Sequence, residues 1–363
     1  MRKDLFDFIS LRCPLCKTAL ALLKVYVIKG EEIEEALLQC KSMRCRRIYP
    51  VISYIPVLIA NMHHYISLQP GLTNMLKEGS LCDTLIADLE RYCGISTASL
   101  EKPSEDMMTA KKMTLAYYLL RQYPLHVQPG DELADLIPMK RDSALYGIDE
   151  VLASLPFIDG VAVDFGCAAG RFVFELASLT ELAIGLDYSF DLVDSASRIR
   201  REGKLPFGIP LDRAVFEEAE IHFSVSERGR KTEFVVADAA QSVFAGSSTG
   251  LVSALNLITE LPEPSKALIA VDAMLKPGGY LLFGSTYNWM VRLEDALLLR
   301  LRSFYRSYEE LFRALMTGAE PASPLTGRYS IINEKNIPFC AYYEKRRYVL
   351  YLMDFMLCRK VQE

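Results

Sequence analysis

Two groups of residues in this chain have types and spacings that can do chemistry. The first is Val161-Ala-Val-Asp-Phe-Gly-Cys-Ala-Ala-Gly-Arg171, an apolar run that closes on a carboxylate and enters a glycine turn. The helix-forming run Phe172-Val-Phe-Glu-Leu-Ala177 follows directly. Strand, glycine turn and helix make the nucleotide-binding unit of doubly wound α/β folds, with backbone N–H groups facing the ligand. A dinucleotide fingerprint wants three glycines, but Ala168 and Arg171 hold the second and third places. Asp164 also sets a negative charge where a pyrophosphate would gather more, which is repulsive. That carboxylate suits a cation instead.

Twenty-three residues after Asp164, Leu182-Ala-Ile-Gly-Leu-Asp187 reads as a second strand ending in an acid, placed to accept ribose hydroxyls. A ligand with a ribose, an ammonium and a sulfonium satisfies both carboxylates, and the reading is an S-adenosylmethionine site. Its expected contacts are Asp164, Gly166, Cys167, Ala168, Gly170 and Arg171 in the turn, and Asp187, Tyr188 and Ser189 after the second strand.

The second group is made of cysteines. Cys13-Pro-Leu-Cys16 and Cys40-Lys-Ser-Met-Arg-Cys45 are two close pairs separated by 23 residues of strand-like sequence. Four thiolates so arranged suit tetrahedral zinc in a closed structural site; the bland alternative is a small β domain with reduced cysteines.

Other elements must hold these groups in place. Glu233-Phe-Val-Val-Ala-Asp238 reads as a third strand, with Asp238 and Ala239 at the adenine edge. Gly250-Leu-Val-Ser-Ala-Leu-Asn256 is a fourth, and Lys276-Pro-Gly-Gly279 launches a fifth, Tyr280-Leu-Leu-Phe-Gly284. Residues 202–230 carry Pro206, Pro210 and mixed charges, and read as an insertion lying over the cofactor. Strand signals return at 337–343 and 348–358 as a closing hairpin. Residues 61–144 alternate apolar and polar residues at helical spacing, with breaks at 69–71, 102–104 and 128–131. They are expected to connect and to cap the active site, with His63, His64 and His126 as surface or packing residues. The expected division is 1–60, a zinc ribbon; 61–144, a helical connector; and 145–363, the catalytic domain.

Composition bounds the rest. The 363 residues are 51% apolar with a formal charge of −5, enough for two or three domains. No apolar run reaches the roughly 18 residues that span a bilayer, and no secretory segment opens the chain. Nine cysteines without such a segment favour a reducing compartment, so the protein is expected in the cytoplasm. The first 60 residues hold ten Lys/Arg against six Asp/Glu, and Lys41, Arg44, Arg46 and Arg47 crowd one tip. Such a tip meets phosphates or is simply solvated.

The order Asp-x-Gly-x-x-x-Gly, an acid ending strand two, an acid ending strand three and Leu275-Lys-Pro-Gly-Gly279 resembles class I S-adenosylmethionine-dependent methyltransferases. That resemblance implies a Rossmann-like seven-stranded sheet, parallel except for one C-terminal strand. Asp164 to Ala177, Gly185-Leu-Asp-Tyr-Ser189, Asn256-Leu-Ile-Thr-Glu-Leu-Pro262, Ser285-Thr-Tyr-Asn-Trp289 and Ile337-Pro-Phe339 further resemble the C-terminal methyltransferase domain of ovothiol synthases. That family methylates a ring nitrogen of 4-mercaptohistidine. The chain departs from it at Tyr342-Tyr343-Glu344, where the family has Arg-Glu-His, and at Thr286-Tyr-Asn-Trp289, where it has Pro-Tyr-Thr-Trp. Residues 11–59, ending Tyr49-Pro-Val-Ile-Ser-Tyr-Ile-Pro-Val-Leu58, resemble the zinc-ribbon family that includes a small activator subunit of RNA and protein methyltransferases.

Methyl transfer from a sulfonium needs a lone pair aligned with the S–CH3 bond more than acid–base help. An imidazole, with a pKa of about 6.5, offers such a lone pair at neutral pH. Enzymes acting on exocyclic base amines usually show an Asn/Asp-Pro-Pro-aromatic clamp after strand four, and Asn256-Leu-Ile-Thr259 lacks it. The first reading is therefore N-methylation of a small or peptidyl imidazole-like acceptor, with Asn256, Glu260, Tyr287, Trp289 and Tyr343 on the acceptor side. The second is an RNA methyltransferase whose basic ribbon grips nucleic acid.

Overall fold

The computed structural model describes residues 1–123, 147–212, 215–226, 231–344 and 346–361. His126, the break at 128–131 and the expected 144/145 border lie outside them. The chain opens with α1 (Leu5–Phe8) and four strands, β1 (Leu20–Lys29), β2 (Glu32–Cys40), β3 (Ile48–Ile52) and β4 (Ile55–Leu58). Helices α2 (Met62–Ser67), α3 (Pro70–Lys77), α4 (Asp83–Cys93), α5 (Glu105–Gln122) and α6 (Asp149–Ser154) follow. The α/β part runs β5 (Ile158–Phe165), α7 (Arg171–Leu176), β6 (Thr180–Asp187) and α8 (Phe190–Glu202), then the hairpin β7 (Lys204–Pro210) and β8 (Phe216–His222). It continues with β9 (Thr232–Ala237), β10 (Thr249–Leu255), α9 (Pro264–Met274) and β11 (Leu275–Ser285). Helices α10 (Ala296–Leu301) and α11 (Tyr308–Thr317) precede the long hairpin β12 (Tyr329–Glu344) and β13 (Arg347–Lys360).

The sheet differs from the expected seven-stranded one. Eleven strands form one sheet in the order β1-β2-β3-β4-β9-β6-β5-β10-β11-β13-β12. β9, β6, β5, β10 and β11 run parallel, and β13 is antiparallel to both its neighbours. The ribbon strands extend this sheet rather than standing apart, because β4 pairs parallel with β9 through Val57↔Val236 and Leu58↔Ala237. The reason is edge chemistry. All six residues of β9 are buried, so an open β9 edge would leave N–H and C=O groups unpaired beside an apolar strand. The run Ile55-Pro-Val-Leu58, equally buried, closes it.

Both faces of the sheet are covered, which is why Val161-Ala-Val163 in β5 is apolar without alternation. One face packs against α2–α5, α7 and α8, and the other against α1 and α9–α11. The insertion at 202–230 forms the β7–β8 hairpin, which packs on α5, α8 and β12. None of its described residues lines the central cavity, so it does not cover the cofactor as expected. Pro210 O accepting from the Tyr342 hydroxyl (2.8 Å) ties the hairpin to the C-terminal strands instead. Among the described residues, no helix is long and apolar enough to cross a membrane.

Candidate active site

β5 and β10 are neighbours whose following helices cover opposite faces, and a cavity of about 960 Å3 opens at their carboxyl ends. That is the switch point where open α/β sheets bind ligands. The turn after β5 is built from left-handed backbone: Gly166 (φ 75°), Ala168 (φ 48°) and Gly170 (φ 83°). A Cβ on Gly170 would stand 2.6 Å from Ala196 Cβ and 2.7 Å from the Phe234 ring, so only glycine lets α8 and β9 approach.

Asp164, Gly166, Ala168, Arg171, Asp187, Tyr188, Ser189, Asp238, Ala239, Asn256, Glu260 and Tyr343 all line the cavity. Asp187 is oriented by backbone donors of the two turns: Ala168 N–H donates to Oδ2 and Ser189 N–H to Oδ1, both at 2.9 Å. Burial raises its pKa against those bonds. Asp164 is deeper, and burial pushes it up to about 7, opposed by the Ser253 hydroxyl donating at 2.5 Å and reinforced by the charge of Asp187. Asp238 accepts from Ala240 N–H (2.9 Å) and from Gln241 Nε2 (3.2 Å). The mutual repulsion of two buried acids with no cation between them is relieved by a cationic ligand. Asn256, held at φ 53°, adds a buried Oδ1 with no hydrogen-bond partner among the described residues. An orphan acceptor beside two carboxylates fits a ligand rich in N–H and O–H donors, as S-adenosylmethionine is.

Four expected site residues lie elsewhere. Cys167 is buried beneath the turn, its sulfur 2.8 Å from where a Cβ on Gly185 would stand, and serves packing. Gly170 serves the helix–strand approach described above. Tyr287 has φ 52°, and this turn swings its ring away from the cavity, 5.9 Å from Phe312, with its hydroxyl donating to Asp354 (2.8 Å). Trp289 packs edge-on against Tyr308 at 5.0 Å, with Nε1 buried and without a hydrogen-bond partner among the described residues. Their neighbours Thr286, Asn288 and Met290 face the cavity instead.

α5, read from sequence as connector, supplies residues that went unnoticed. Ser104 caps it by accepting from Met107 N–H (3.2 Å), and its last turns bring Tyr117, Tyr118, Arg121 and Gln122 to the cavity. Gln122 Nε2 donates to Cys167 O (3.3 Å) while its Oε1 accepts from Arg171 N–H (3.4 Å), bracing the glycine turn. Tyr123 donates to Ala169 O (2.7 Å). The available signal was two adjacent tyrosines one helical turn before Arg121-Gln122. β12 and β13 add Phe339, Arg347, Tyr351 and Met353. Glu260 stands at the mouth; the surrounding protein raises its pKa, against the charge of Arg121 and with that of Asp187.

Beside the segment that follows Asp238, where Lys17 Nζ donates to Ser242 O (3.2 Å), Cys13, Cys16, Cys40 and Cys45 converge, their sulfurs all within 4.8 Å of one another. Cys13 and Cys45 are 3.8 Å apart and Cys16 and Cys40 3.3 Å, beside the roughly 3.8 Å sulfur spacing of a tetrahedral zinc–thiolate site with 2.3 Å bonds. Lys17 (φ 60°) and Arg46 (φ 48°) turn the chain after each pair. The wider second pair is accommodated because Cys40 still ends β2, while Ser42 to Cys45 forms the tight turn, closed by Cys45 N–H on Ser42 O (3.2 Å).

Residues 163–283 match the methyltransferase-domain family. With the glycine turn and its two carboxylates, this makes the protein a class I S-adenosylmethionine-dependent methyltransferase. Among curated proteins, it is 22% identical over 212 residues to a ubiquinone biosynthesis O-methyltransferase of Ralstonia nicotianae, covering 53% of this chain and 79% of that one. A solved S-adenosylmethionine-dependent methyltransferase from Methanosarcina mazei is similar at 21% identity, covering 60% of this chain and 99% of that one, with a TM-score of 0.40. The magnesium protoporphyrin IX methyltransferase of Synechocystis PCC 6803, solved with bound S-adenosylmethionine, is similar at 15% identity over 71% of this chain and 99% of that one, with a TM-score of 0.41.

Proposed function

We propose that this methyltransferase transfers the methyl group to a ring nitrogen of an imidazole-like acceptor lying in the mouth of the cavity. The observation that carries the reading is the pairing of Glu260 with the aromatic wall of Tyr117, Phe339 and Tyr343 above the cofactor end. Bound S-adenosylmethionine supplies an electrophilic methyl on its sulfonium. Asp187 accepts the two ribose hydroxyls, Asp164 faces the ammonium, and Asp238 with Ala239 meets the adenine edge. The aromatic wall fixes the plane of the acceptor ring. Glu260 accepts a hydrogen bond from one ring N–H and so selects the tautomer whose other nitrogen carries the free lone pair. Its raised pKa brings it nearer to a base matched to that N–H. Asn256 Oδ1 orients whichever donor reaches the junction of the two subsites.

The same proposal divides the chain into a zinc-binding module (1–60), a helical connector that braces the glycine turn (61–144) and a catalytic unit (145–363), working in the cytoplasm. The zinc, held by Cys13, Cys16, Cys40 and Cys45, is structural. The test is transfer of labelled methyl to metabolite, peptide and RNA pools. Label on a ring nitrogen of a metabolite or peptide supports the reading. Label on an RNA base replaces it with nucleic-acid methylation, in which the basic tip Lys41, Arg44, Arg46 and Arg47 would grip phosphate and binding would fall steeply with salt.

A further inference from the structure

The cavity is electrically divided. Asp164, Asp187 and Asp238 make its cofactor end acidic, whereas Arg121 on α5 and Arg347 at the start of β13 bring two guanidiniums to the same lining. Each lies over an aromatic ring: Arg121 Cζ is 4.7 Å from the Phe339 ring centre and Arg347 Cζ 4.3 Å from that of Tyr343. Those rings are held in turn, Tyr343 by Tyr117 (4.7 Å between centres) and by a 2.9 Å hydroxyl contact with Tyr351, and Phe339 by stacking on Tyr351 at 5.1 Å. Neither arginine closes an ion pair with a carboxylate among the described residues; Glu260 feels the charge of Arg121 without reaching it. Stacking occupies the flat face of a guanidinium and leaves its in-plane N–H edge to donate. Such an edge is a bidentate receptor for carboxylate or phosphate. A neutral heterocycle would leave both edges unused.

We infer that the methyl acceptor is a planar ring bearing an anionic group, with the ring against Tyr117, Phe339 and Tyr343 and the anion held by Arg121 and Arg347. This rests on the cavity being the acceptor site proposed above and narrows the acceptor to a small anionic molecule. A histidine inside a peptide, whose carboxyl is tied up as an amide, does not meet the description. The carboxylate of the cofactor is the one competing claimant for these arginines.

The test uses the full chain loaded with S-adenosylhomocysteine and matched ligands titrated by calorimetry: imidazole-4-acetate against imidazole-4-acetamide, phenylacetate against phenylacetamide, and phenyl phosphate. The anionic member of each pair is expected to bind about tenfold more tightly or better, the worth of one charge-assisted hydrogen bond. Phenyl phosphate binding above phenylacetate assigns the anion as phosphate, and the reverse order assigns it as carboxylate. The preference is expected to vanish in both R121Q and R347Q while S-adenosylhomocysteine affinity stays unchanged. No anion preference in the wild type, a preference surviving in either variant, or variants that weaken S-adenosylhomocysteine and keep the preference would overturn the inference. A phenyl pair that discriminates while imidazole-4-acetate, offered separately with methyl-labelled S-adenosylmethionine, receives no label keeps the anion subsite and removes the imidazole reading, so the two failures are distinct.

Discussion

Replacing Asp164 by asparagine should separate cofactor binding from stability. The carboxyl titrates at about 7, raised by burial first and by Asp187 as well, against the hydrogen bond from Ser253. In an unfolded chain it titrates near 3.9. Between those values the folded protein keeps a proton that the unfolded chain has released. The stability associated with this group is therefore present at low pH and lost as pH rises through the window from about 4 to about 7. The loss is about 2 kcal/mol at pH 5.5 and, once both states are ionised, on the order of 4 kcal/mol at pH 8. Asparagine cannot ionise, and its side-chain oxygen still accepts from the Ser253 hydroxyl now at 2.5 Å. Asp164→Asn should thus raise the melting temperature of the cofactor-free protein by several degrees at pH 8, and by about half as much at pH 5.5. The same change removes the charge that faces the ammonium, so calorimetric affinity for S-adenosylhomocysteine at pH 8 should fall at least about tenfold. A variant that melts below the wild type at pH 8, or that binds the ligand equally well, would refute the reasoning.

Asp187→Asn presents an amide NH2 to one of the two backbone N–H donors now at 2.9 Å and loses both charge-assisted bonds to ribose. S-adenosylhomocysteine affinity should drop about a hundredfold or more, and an unchanged titration would end the ribose assignment. Gly170→Ala combines φ 83° with a 2.6 Å approach to Ala196 Cβ; urea unfolding should show about 2–4 kcal/mol of lost stability, and a wild-type midpoint would contradict it. Metal analysis should find one zinc per chain that a Cys13→Ser/Cys40→Ser variant lacks. Because β4 pairs with β9, which leads into Asp238, that variant should also bind the cofactor less tightly and aggregate on warming; retained zinc or undiminished affinity argues against it. Tyr343→Ala should lower turnover with cofactor affinity kept, while Trp289→Ala, whose ring lies outside the cavity, should lower the melting temperature and spare turnover; the reverse pattern would restore Trp289 to the acceptor side.

Much of the catalytic unit was legible because its signals are local. A buried parallel strand must be apolar throughout, a left-handed turn must use glycine or small residues, and an acid at a strand end must face the carboxyl edge of the sheet. Hence Asp164, Gly166 and Asp187 could be placed from spacing alone, and the cysteine pairs could be matched by number and interval. Side-chain direction was not local. Tyr287 and Trp289 read as acceptor contacts, yet a single positive φ at Tyr287 turns its ring toward Phe312 and leaves Thr286 and Asn288 facing the cavity. Contacts between distant segments were hidden for the same reason. Helix α5 carries no motif, but its packing brings Gln122 to the glycine turn and Arg121 to Phe339, more than two hundred residues away in sequence. The run Ile55-Pro-Val-Leu58 gives no hint that its partner is β9. Pairing of a strand edge is decided by which other edge is left open when the rest has folded, and that is a property of the assembled sheet, not of either segment.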